Sequence, residues 1–313
     1  MSHTEAADVL IIGGGPAAYT AAVYAGRGGL NPVVVEGFAS GGQIALSGQI
    51  DNFPSHPDGI PGAELGDRMR EQAVRFGARF VMDEVDSVDL GEPPFSAETV
   101  SGDTYTAEGI IIATGAKARR LGLPSEDEYE GRGVCFCAIC DGPFFAGQRV
   151  AVIGGGDAAV EEALTLSRIA ASVVLVHRRD EFRANASLRA LLPEVPNLEV
   201  RTPQVVSEIV GDDTGVTGVR LRDLARDSEH LEAVDGVFVA IGHDPASTIF
   251  QPWLKVDEHG YILTEDGTTE TSVPGVFAAG DVADPRYRQA VTAAGAGCQA
   301  ALDLERWLMT RRG

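Results

Sequence analysis

The residues best suited to chemistry are two cysteines in the run Cys137-Ala-Ile-Cys140-Asp141. A Cys-x-x-Cys pair can close a small disulfide and so store two electrons. The pair could also supply half of a zinc site, or it could be inert. Zinc normally takes four ligands. Cys135 could be a third, but no suitably spaced fourth ligand follows it. The spacing therefore favours a redox-active pair.

Asp141 directly follows the second cysteine. A carboxylate in this position can exchange a proton with a thiolate or a leaving thiol. A turn or N-cap role is the alternative. Cys135 and Cys298 are interpreted as buried core residues, because free cysteines are among the most buried residue types. Disulfide shuffling through Cys135 remains open.

Two glycine-rich turns flank the cysteine pair. Each follows an apolar run, at residues 8–12 and 149–153, and each is followed by a helix and a second strand. The helices are predicted to end near Arg27 and Ile169. Backbone N–H groups in such a turn, together with the helix N-terminus, bind a pyrophosphate. The sequence therefore predicts two βαβ nucleotide-binding units, with candidate residues Gly13, Gly15, Pro16, Ala17, Gly154, Gly156, Asp157 and Ala158.

The residue that ends the second strand of each unit indicates which nucleotide binds. In the first unit the strand 32–35 ends in Glu36, whose carboxylate can accept hydrogen bonds from ribose hydroxyls and repels a 2′-phosphate. This favours FAD or NAD. In the second unit the strand 173–176 is followed by basic residues that can clamp a 2′-phosphate, which favours NADPH over NADH. These residues are His177, Arg178, Arg179 and Arg183; a solvated basic face is the alternative.

Three further apolar runs end in turn residues, at 109–115, 237–242 and 276–281. The last can bring Asp281 to the ribityl or pyrophosphate region of FAD, with Arg288 and Gln289 nearby, although Gly-Asp is also a common turn pair. A long Ala-rich helix, interrupted by Gly295 and Gly297, is predicted from Ala290 to Met309.

Two connecting stretches, 116–124 and 243–247, bracket the second βαβ unit. The simplest arrangement is an insertion. Residues 1–117 and 248–313 then form one domain, and residues 118–247 form another that carries the cysteine pair. The two crossings would make a hinge.

Composition excludes several partners. The chain has 313 residues and a net charge of 25 − 46 = −21, which argues against binding to nucleic acid or to an anionic membrane surface. No apolar run approaches the ~18 residues of a membrane span. The polar, acidic N-terminus is unlike a signal peptide. Four cysteines are too few for a secreted disulfide scaffold. We therefore expect a cytoplasmic protein.

In order and spacing, these motifs resemble the low-molecular-weight, bacterial-type thioredoxin reductases. The resemblance spans nearly the whole chain. It is carried by Gly13–Ala18, Gly41–Gln43, Asn52–Pro54, Ala113–Gly115, Cys137–Asp141, Gly154–Ala159, His177–Ala184, Gly280-Asp281 and Arg288–Ala290.

The resemblance implies an α/β fold with two Rossmann-like domains of the three-layer ββα type, the second inserted into the first. FAD would bind the discontinuous domain and NADPH the inserted one. Hydride would pass from NADPH to FAD, and the electrons from FAD to the Cys137–Cys140 disulfide. Further cofactor contacts are implied for Gly42, Gln43, Asn52, Thr114, Gly115, Gly280, Asp281, Arg288, Gln289, Ala290, Ile241 and Gly242.

The resemblance also implies roles at the cysteine pair. Cys140 faces the flavin, Cys137 attacks thioredoxin, and Asp141 is the acid/base. Rotation of the inserted domain and a homodimer are expected as well. Two departures stand beside the pair: Ile139 where the family usually has threonine, and Cys135 where a serine-like residue is expected. Alternatives are an oxygen-using dithiol oxidase, which is expected to lack the arginines, a reductase for a peroxiredoxin or thioredoxin-like protein, and a nucleotide-binding redox sensor.

Overall fold

The computed structural model describes residues 3–38 and 40–312, with only the backbone of residue 312. Its strands are Thr4–Ile12 (β1), Pro32–Val35 (β2), Arg79–Val81 (β3), Val85–Asp89 (β4), Phe95–Thr99 (β5), Thr104–Ile112 (β6), Ala116–Ala118 (β7), Val134–Cys135 (β8), Arg149–Ile153 (β9), Ser172–Val176 (β10), Leu198–Arg201 (β11), Gln204–Asp212 (β12), Gly215–Asp223 (β13), Ser228–Ala233 (β14), Gly236–Val239 (β15), His243–Pro245 (β16) and Val276–Ala278 (β17). The α-helices are Pro16–Arg27 (α1), Gly62–Arg75 (α2), Pro124–Glu128 (α3), Ala138–Asp141 (α4), Asp157–Leu166 (α5), Ala186–Leu191 (α6) and Ala290–Arg312 (α7). None of the helices in the described part of the chain is long and apolar enough to cross a membrane.

The chain divides into two compact units. The first comprises the residues up to Lys117 together with those from Asp244 onward, and the second is Ala118–His243. The second unit is thus an insertion in the sequence of the first. The chain passes between the units twice, and the short strands β7 and β16 at these two crossings form a two-stranded sheet.

The first unit is built on a sheet in the order β3-β2-β1-β6-β5-β4. β1 pairs in parallel with β2 and β6, while β4, β5 and the first half of β6 form an antiparallel meander. The last residues of β6 pair with β17 instead. Val9 and Ile11 of β1 face one apolar core with α1 and α7, and Leu10 and Ile12 face the other. Burial on both faces explains why this strand is a continuous apolar run.

The second unit repeats this plan. Its parallel sheet has the order β11-β10-β9-β15-β8. Val150 and Val152 of β9 pack towards a core that includes α5, whereas Ala151 and Ile153 pack with residues of the antiparallel sheet β12-β13-β14. Both units therefore have the predicted three-layer α/β architecture.

Two predicted helix descriptions are corrected. α5 ends at Leu166 and continues only as a turn, rather than reaching Ile169. α7 is one continuous helix of 23 residues, not a helix interrupted at its two glycines. Gly297 has a packing role instead. A Cβ at this position would lie 2.1 Å from the carbonyl oxygen of Ala17 on α1, so glycine lets the two helices approach closely.

Candidate active site

Cys137 and Cys140 form a disulfide, with their Cα atoms 5.3 Å apart. Cys137 is the N-cap of the one-turn helix α4, and its Sγ accepts a hydrogen bond from the backbone N–H of Cys140 at 3.2 Å. Both cysteines are half-buried, and Ile139 between them is 63% exposed. Among the residues that the structure describes, no group of three or more His, Cys, Asp or Glu side chains is arranged to hold a metal ion.

Asp141 ends helix α4 and interacts with the third cysteine of the segment. Burial raises the pKa of the Asp141 carboxyl, and a hydrogen bond from the Cys135 thiol partly offsets that rise. Burial in turn raises the pKa of Cys135, and the negative charge of Asp141 raises it further. Cys135 therefore stays a protonated donor, and Asp141 takes up a proton at a higher pH than an exposed aspartate does. A carboxyl with a raised pKa, next to Cys140 in sequence, is suited to exchange protons with thiols.

The first glycine turn is shaped by two close backbone approaches and one open position. A Cβ at Gly13, where φ is +131°, would lie 2.1 Å from the Ala113 carbonyl oxygen, and one at Gly14 would lie 2.4 Å from that of Glu36. Gly15, the N-cap of α1, has no such neighbour within 4 Å. The turn is therefore tight against the sheet and open in front of the helix. A Cβ at Gly42 would lie 3.0 Å from the Gly15 Cα, so the loop 41–43 borders this open space.

Glu36 lies at the end of β2 and is 4% exposed. Its carboxylate accepts a hydrogen bond from the Tyr19 hydroxyl at 2.9 Å. It also forms a two-pronged ion pair with Arg70 of α2, with Nη2 3.0 Å and Nε 3.1 Å from Oε1. The predicted ribose acceptor is thus ionic, buried and held by two side chains.

Other residues of the first unit that are predicted to bind the cofactor also make contacts within that unit. The Asn52 amide donates to Gln289 Oε1 at 3.2 Å, although 237 positions separate the two in sequence. The Thr114 hydroxyl donates to the Ala246 carbonyl at 2.7 Å. A Cβ at Gly280 would lie 3.0 Å from that of Ala17, which brings the segment before α7 against the start of α1.

The pKa of the Asp281 carboxyl is strongly raised. Burial raises its pKa to about 6, the negative charge of Asp284 adds to the rise, and Arg288 opposes it. Ala290 begins helix α7. A desolvated carboxyl beside a helix start is suited to hydrogen bonding with hydroxyl groups of a ligand.

The second glycine turn has the same form. A Cβ at Gly154 would lie 2.2 Å from the Ala240 carbonyl oxygen, and one at Gly155 would lie 2.2 Å from His177 Nδ1. Gly156 is the N-cap of α5 and again has no neighbour within 4 Å. The Arg183 N–H donates to the Gly155 carbonyl at 2.7 Å, which places the basic segment beside the turn.

The four predicted basic residues separate into two kinds. His177 is 6% exposed, stacks on Phe182 with 5.1 Å between ring centroids, and hydrogen-bonds the Glu181 carbonyl. Burial is the largest cause that lowers its pKa, so it is neutral at pH 7 and packs the turn. The three arginines are Arg178, Arg179 and Arg183. All three are exposed, and none of them forms a salt bridge within the described ranges.

Asp157, Ala158, Ile241 and Gly242 also lie in the second unit. Asp157 is exposed and its Oδ1 accepts the Asn185 N–H at 2.7 Å. Gly242 has φ +106°, and a Cβ there would lie 3.3 Å from Arg119 Nη1. Ala158 and Ile241 are half-buried.

The pyridine nucleotide-disulphide oxidoreductase profile matches residues 7–297. The chain belongs to this family. The thioredoxin reductase of Escherichia coli O157:H7 is 50% identical over 317 residues, which cover 98% of each chain. The structure of thioredoxin reductase from Giardia duodenalis has a TM-score of 0.93 and 41% identity, and covers 97% of this chain and 99% of that one.

A relative with another name is similar over the same span. A glucosaminate ammonia-lyase of Pseudomonas fluorescens is 47% identical over 313 residues, covering 96% of this chain and 95% of the relative. The full-length matches confirm the resemblance to low-molecular-weight thioredoxin reductases. Membership of the oxidoreductase family implies FAD and NADPH as cofactors.

The residues of both units fit these cofactors. Each glycine turn leaves open space in front of a helix N-terminus, where a pyrophosphate binds. The first unit adds a buried carboxylate at the end of β2, and the second adds exposed guanidinium groups. Sequence reasoning missed Tyr19 and Arg70. Arg70 lies 34 positions after Glu36 on an amphipathic helix, and no local motif marks it.

Proposed function

We propose that this protein is an NADPH-dependent flavoprotein that reduces the disulfide of a thioredoxin through its Cys137–Cys140 pair. The Cys137–Cys140 disulfide in the described structure carries the proposal, because the pair, once reduced to a dithiol, can pass two electrons to a protein disulfide. When bound, NADPH and FAD supply these electrons. FAD is assigned to the first unit and NADPH to the second.

The chain's own cysteines carry out the exchange. Reduction of the Cys137–Cys140 disulfide takes two electrons and two protons and yields two thiols. The Cys137 thiolate then attacks one sulfur of the thioredoxin disulfide, which forms a mixed disulfide and releases a thioredoxin thiolate. Cys140 attacks Cys137 in the mixed disulfide, which restores the original bond and releases the second thioredoxin thiol.

The hydrogen bond within α4 supports Cys137 as the attacking thiol. The Cys140 N–H donates to Cys137 Sγ in the oxidised pair. The same donor would stabilise a thiolate on Cys137 after reduction, because a hydrogen bond to the charged form lowers its pKa.

Asp141 is proposed to move the protons. Burial raises the pKa of Asp141, so it holds a proton at a higher pH than an exposed aspartate does. It can therefore protonate a leaving thiolate and accept the proton of the thiol that attacks next. Its hydrogen bond with Cys135 fixes the carboxyl at the end of α4.

The arginines beside the second turn support NADPH rather than NADH. They are exposed and form no salt bridge within the described residues, so their donors are available to a 2′-phosphate. We further propose a cytoplasmic homodimer. Light scattering of the purified protein would test the dimer, and cell fractionation would test the location.

Steady-state turnover with NADPH and oxidised thioredoxin tests the function. We expect Cys137→Ser and Cys140→Ser each to abolish thioredoxin reduction while FAD stays bound. Cys298→Ser, a change of a cysteine on α7, serves as the control and should leave turnover unchanged. Normal turnover in either active-pair variant would refute the dithiol route. Lack of turnover in the unchanged protein, with flavin still reduced by NADPH, would point to another acceptor.

A further inference from the structure

The best-defined polar network of the first unit surrounds a carboxylate at its glycine turn. Glu36 is nearly fully buried, with 1% of its side chain exposed. A buried carboxylate is costly unless it is paired and hydrogen-bonded. Here the partners come from two different helices, Tyr19 from α1 and Arg70 from α2.

Tyr19 links this carboxylate to the neighbouring loop. The Gly41 N–H donates to the Tyr19 hydroxyl oxygen at 2.8 Å, and that hydroxyl donates to Glu36 Oε2. A backbone N–H can only donate and an ionised carboxylate can only accept, so the direction of both bonds is determined. Gly41 has φ +85° and precedes the 3₁₀ turn Gly42–Leu46, which contains the predicted FAD residues Gly42 and Gln43.

Arg70 fixes the carboxylate from the other side. Its guanidinium uses Nε and Nη2 on Glu36 and lies over the Phe80 ring, 4.4 Å from the centroid. Phe80 also makes an edge contact with the Tyr19 ring, at 5.5 Å between centroids. The planar guanidinium is thus oriented by stacking as well as by the ion pair.

The donors engage the whole carboxylate. Oε1 accepts from Arg70 Nε and Nη2, and Oε2 accepts from the Tyr19 hydroxyl and shares the Arg70 Nε proton. These four contacts match the about four acceptor positions of an ionised carboxylate, and the Glu36 side chain is 1% exposed. Glu36 is therefore a buried anchor, and it acts on a ligand through the side chains that it holds.

We propose that Arg70 and Tyr19 are positioning residues for FAD. Together with Glu36 they anchor the loop 41–43: the Tyr19 hydroxyl is fixed by Glu36 and accepts the Gly41 N–H, which holds Gly42 and Gln43 in place for FAD. FAD affinity then depends on helix α2, which lies outside the glycine-rich motif. This inference rests on the assignment of FAD to the first unit in the proposed function.

Release of FAD from the purified holoprotein tests the network, with free-flavin fluorescence as the signal. Arg70→Gln should raise the FAD dissociation constant about tenfold or more, and Tyr19→Phe several-fold, because each removes a hydrogen bond to a charged group. The effects of the double variant should not be additive, since both side chains act on the same carboxylate. Arg70→Lys should recover only part of the affinity, because it keeps the charge but loses the fork.

The chain offers matched controls. Arg68→Gln changes an arginine on the same helix that pairs with Glu64 at 2.6 Å on the surface, and Tyr24→Phe changes a tyrosine on α1 that is 42% exposed. Both should leave FAD release unchanged. ADP carries the pyrophosphate without the flavin, and the anchored loop borders the open space at Gly15, so the inhibition constant of ADP for FAD rebinding should rise by the same factor as the FAD dissociation constant.

Two outcomes overturn the inference. One is an unchanged FAD dissociation constant in both Arg70→Gln and Tyr19→Phe. The other is weaker FAD binding with unchanged ADP inhibition, which places the effect away from the adenosine diphosphate part of FAD. If Arg70→Gln does not fold, Tyr19→Phe decides, because it keeps the ring and the ion pair. Failure of the proposed function would show instead as flavin that binds normally but does not pass electrons to thioredoxin.

Discussion

The two glycine turns share one backbone design but present opposite charges. A Cβ added at the first glycine of each turn would lie against a carbonyl oxygen of a neighbouring segment. The distance is 2.1 Å to the Ala113 oxygen in the first turn and 2.2 Å to the Ala240 oxygen in the second. The second glycine is pressed against the residue that follows the next strand, and the third faces open space. Only the surroundings differ. The first turn has a buried carboxylate already paired with Arg70, and the second has a buried neutral histidine and exposed arginines.

A nucleotide site performs two tasks, and in each unit different residues perform them. The glycines make room for a pyrophosphate, which FAD and NADPH have in common. The residues after the second strand distinguish the two adenosine riboses, of which only that of NADPH carries a 2′-phosphate. An internal duplication can therefore serve two cofactors through a few side-chain differences.

The largest expected effects come from filling the open position of each turn. Gly156→Val should raise the KM for NADPH about 100-fold, equivalent to about 2.7 kcal/mol, while FAD stays bound. Gly15→Val should yield protein without flavin. The added side chain meets no protein atom near its Cβ and occupies the space of the pyrophosphate. Flavin absorbance per chain and the KM for NADPH measure the two effects, and each variant controls for the other. Loss of FAD in Gly156→Val would contradict the assignment of the cofactors.

The arginines should account for the preference for NADPH. Arg178→Ala combined with Arg179→Ala should raise the KM for NADPH at least about tenfold, because charge-assisted hydrogen bonds contribute ~1.5–3 kcal/mol each. The KM for NADH should hardly change. Arg189→Ala, which removes an exposed arginine from α6, is the matched control. If the ratio of the KM for NADPH to the KM for NADH is unchanged, these arginines do not bind the 2′-phosphate.

The buried carboxyl of Asp281 should give the first unit a pH-dependent weakness. Burial raises the pKa of Asp281 to about 6, above its unfolded value, so the ionised carboxyl opposes folding at high pH. Asp281→Asn should stabilise the apoprotein at pH 8 by at most about 3 kcal/mol. The gain should shrink as the pH falls through 6 and vanish below about 3.9, where the unfolded chain is protonated as well.

Urea unfolding of the apoprotein between pH 4 and 8 would measure this effect. A stability gain in Asp281→Asn that is the same at every pH would exclude desolvation as its cause.

The smallest effect is expected at Cys135. Cys135→Ser keeps a hydrogen-bond donor to Asp141 and should change turnover less than about twofold. Cys135→Val removes the donor, so the pKa of Asp141 should rise further and the pH profile of thioredoxin reduction should shift upward, since the hydrogen bond from Cys135 lowers that pKa. Identical pH profiles for the serine and valine variants would show that Cys135 only fills space.

The sequence was most informative where local patterns dictate structure. Both βαβ units could be predicted, because Gly13 and Gly154 follow apolar runs that end at the turns, and the cysteine pair carries its own signal. The role of Gly297 could not, because it depends on Ala17, nearly 300 positions away. Likewise, the partners of Glu36 and Asp141 come from packing. Arg70 belongs to another helix, and the burial expected for Cys135 does not by itself predict a hydrogen bond to Asp141.

Anaerobic titration with NADPH, followed by oxidised thioredoxin, tests the central claim most directly. The unchanged protein should take up two equivalents of NADPH before the flavin absorbance is fully bleached, one for the disulfide and one for FAD, and thioredoxin should restore the absorbance. Cys137→Ser should take up one equivalent and should not respond to thioredoxin. Uptake of a single equivalent by the unchanged protein, or a bleached flavin that thioredoxin does not reoxidise, would contradict electron transfer through the Cys137–Cys140 disulfide.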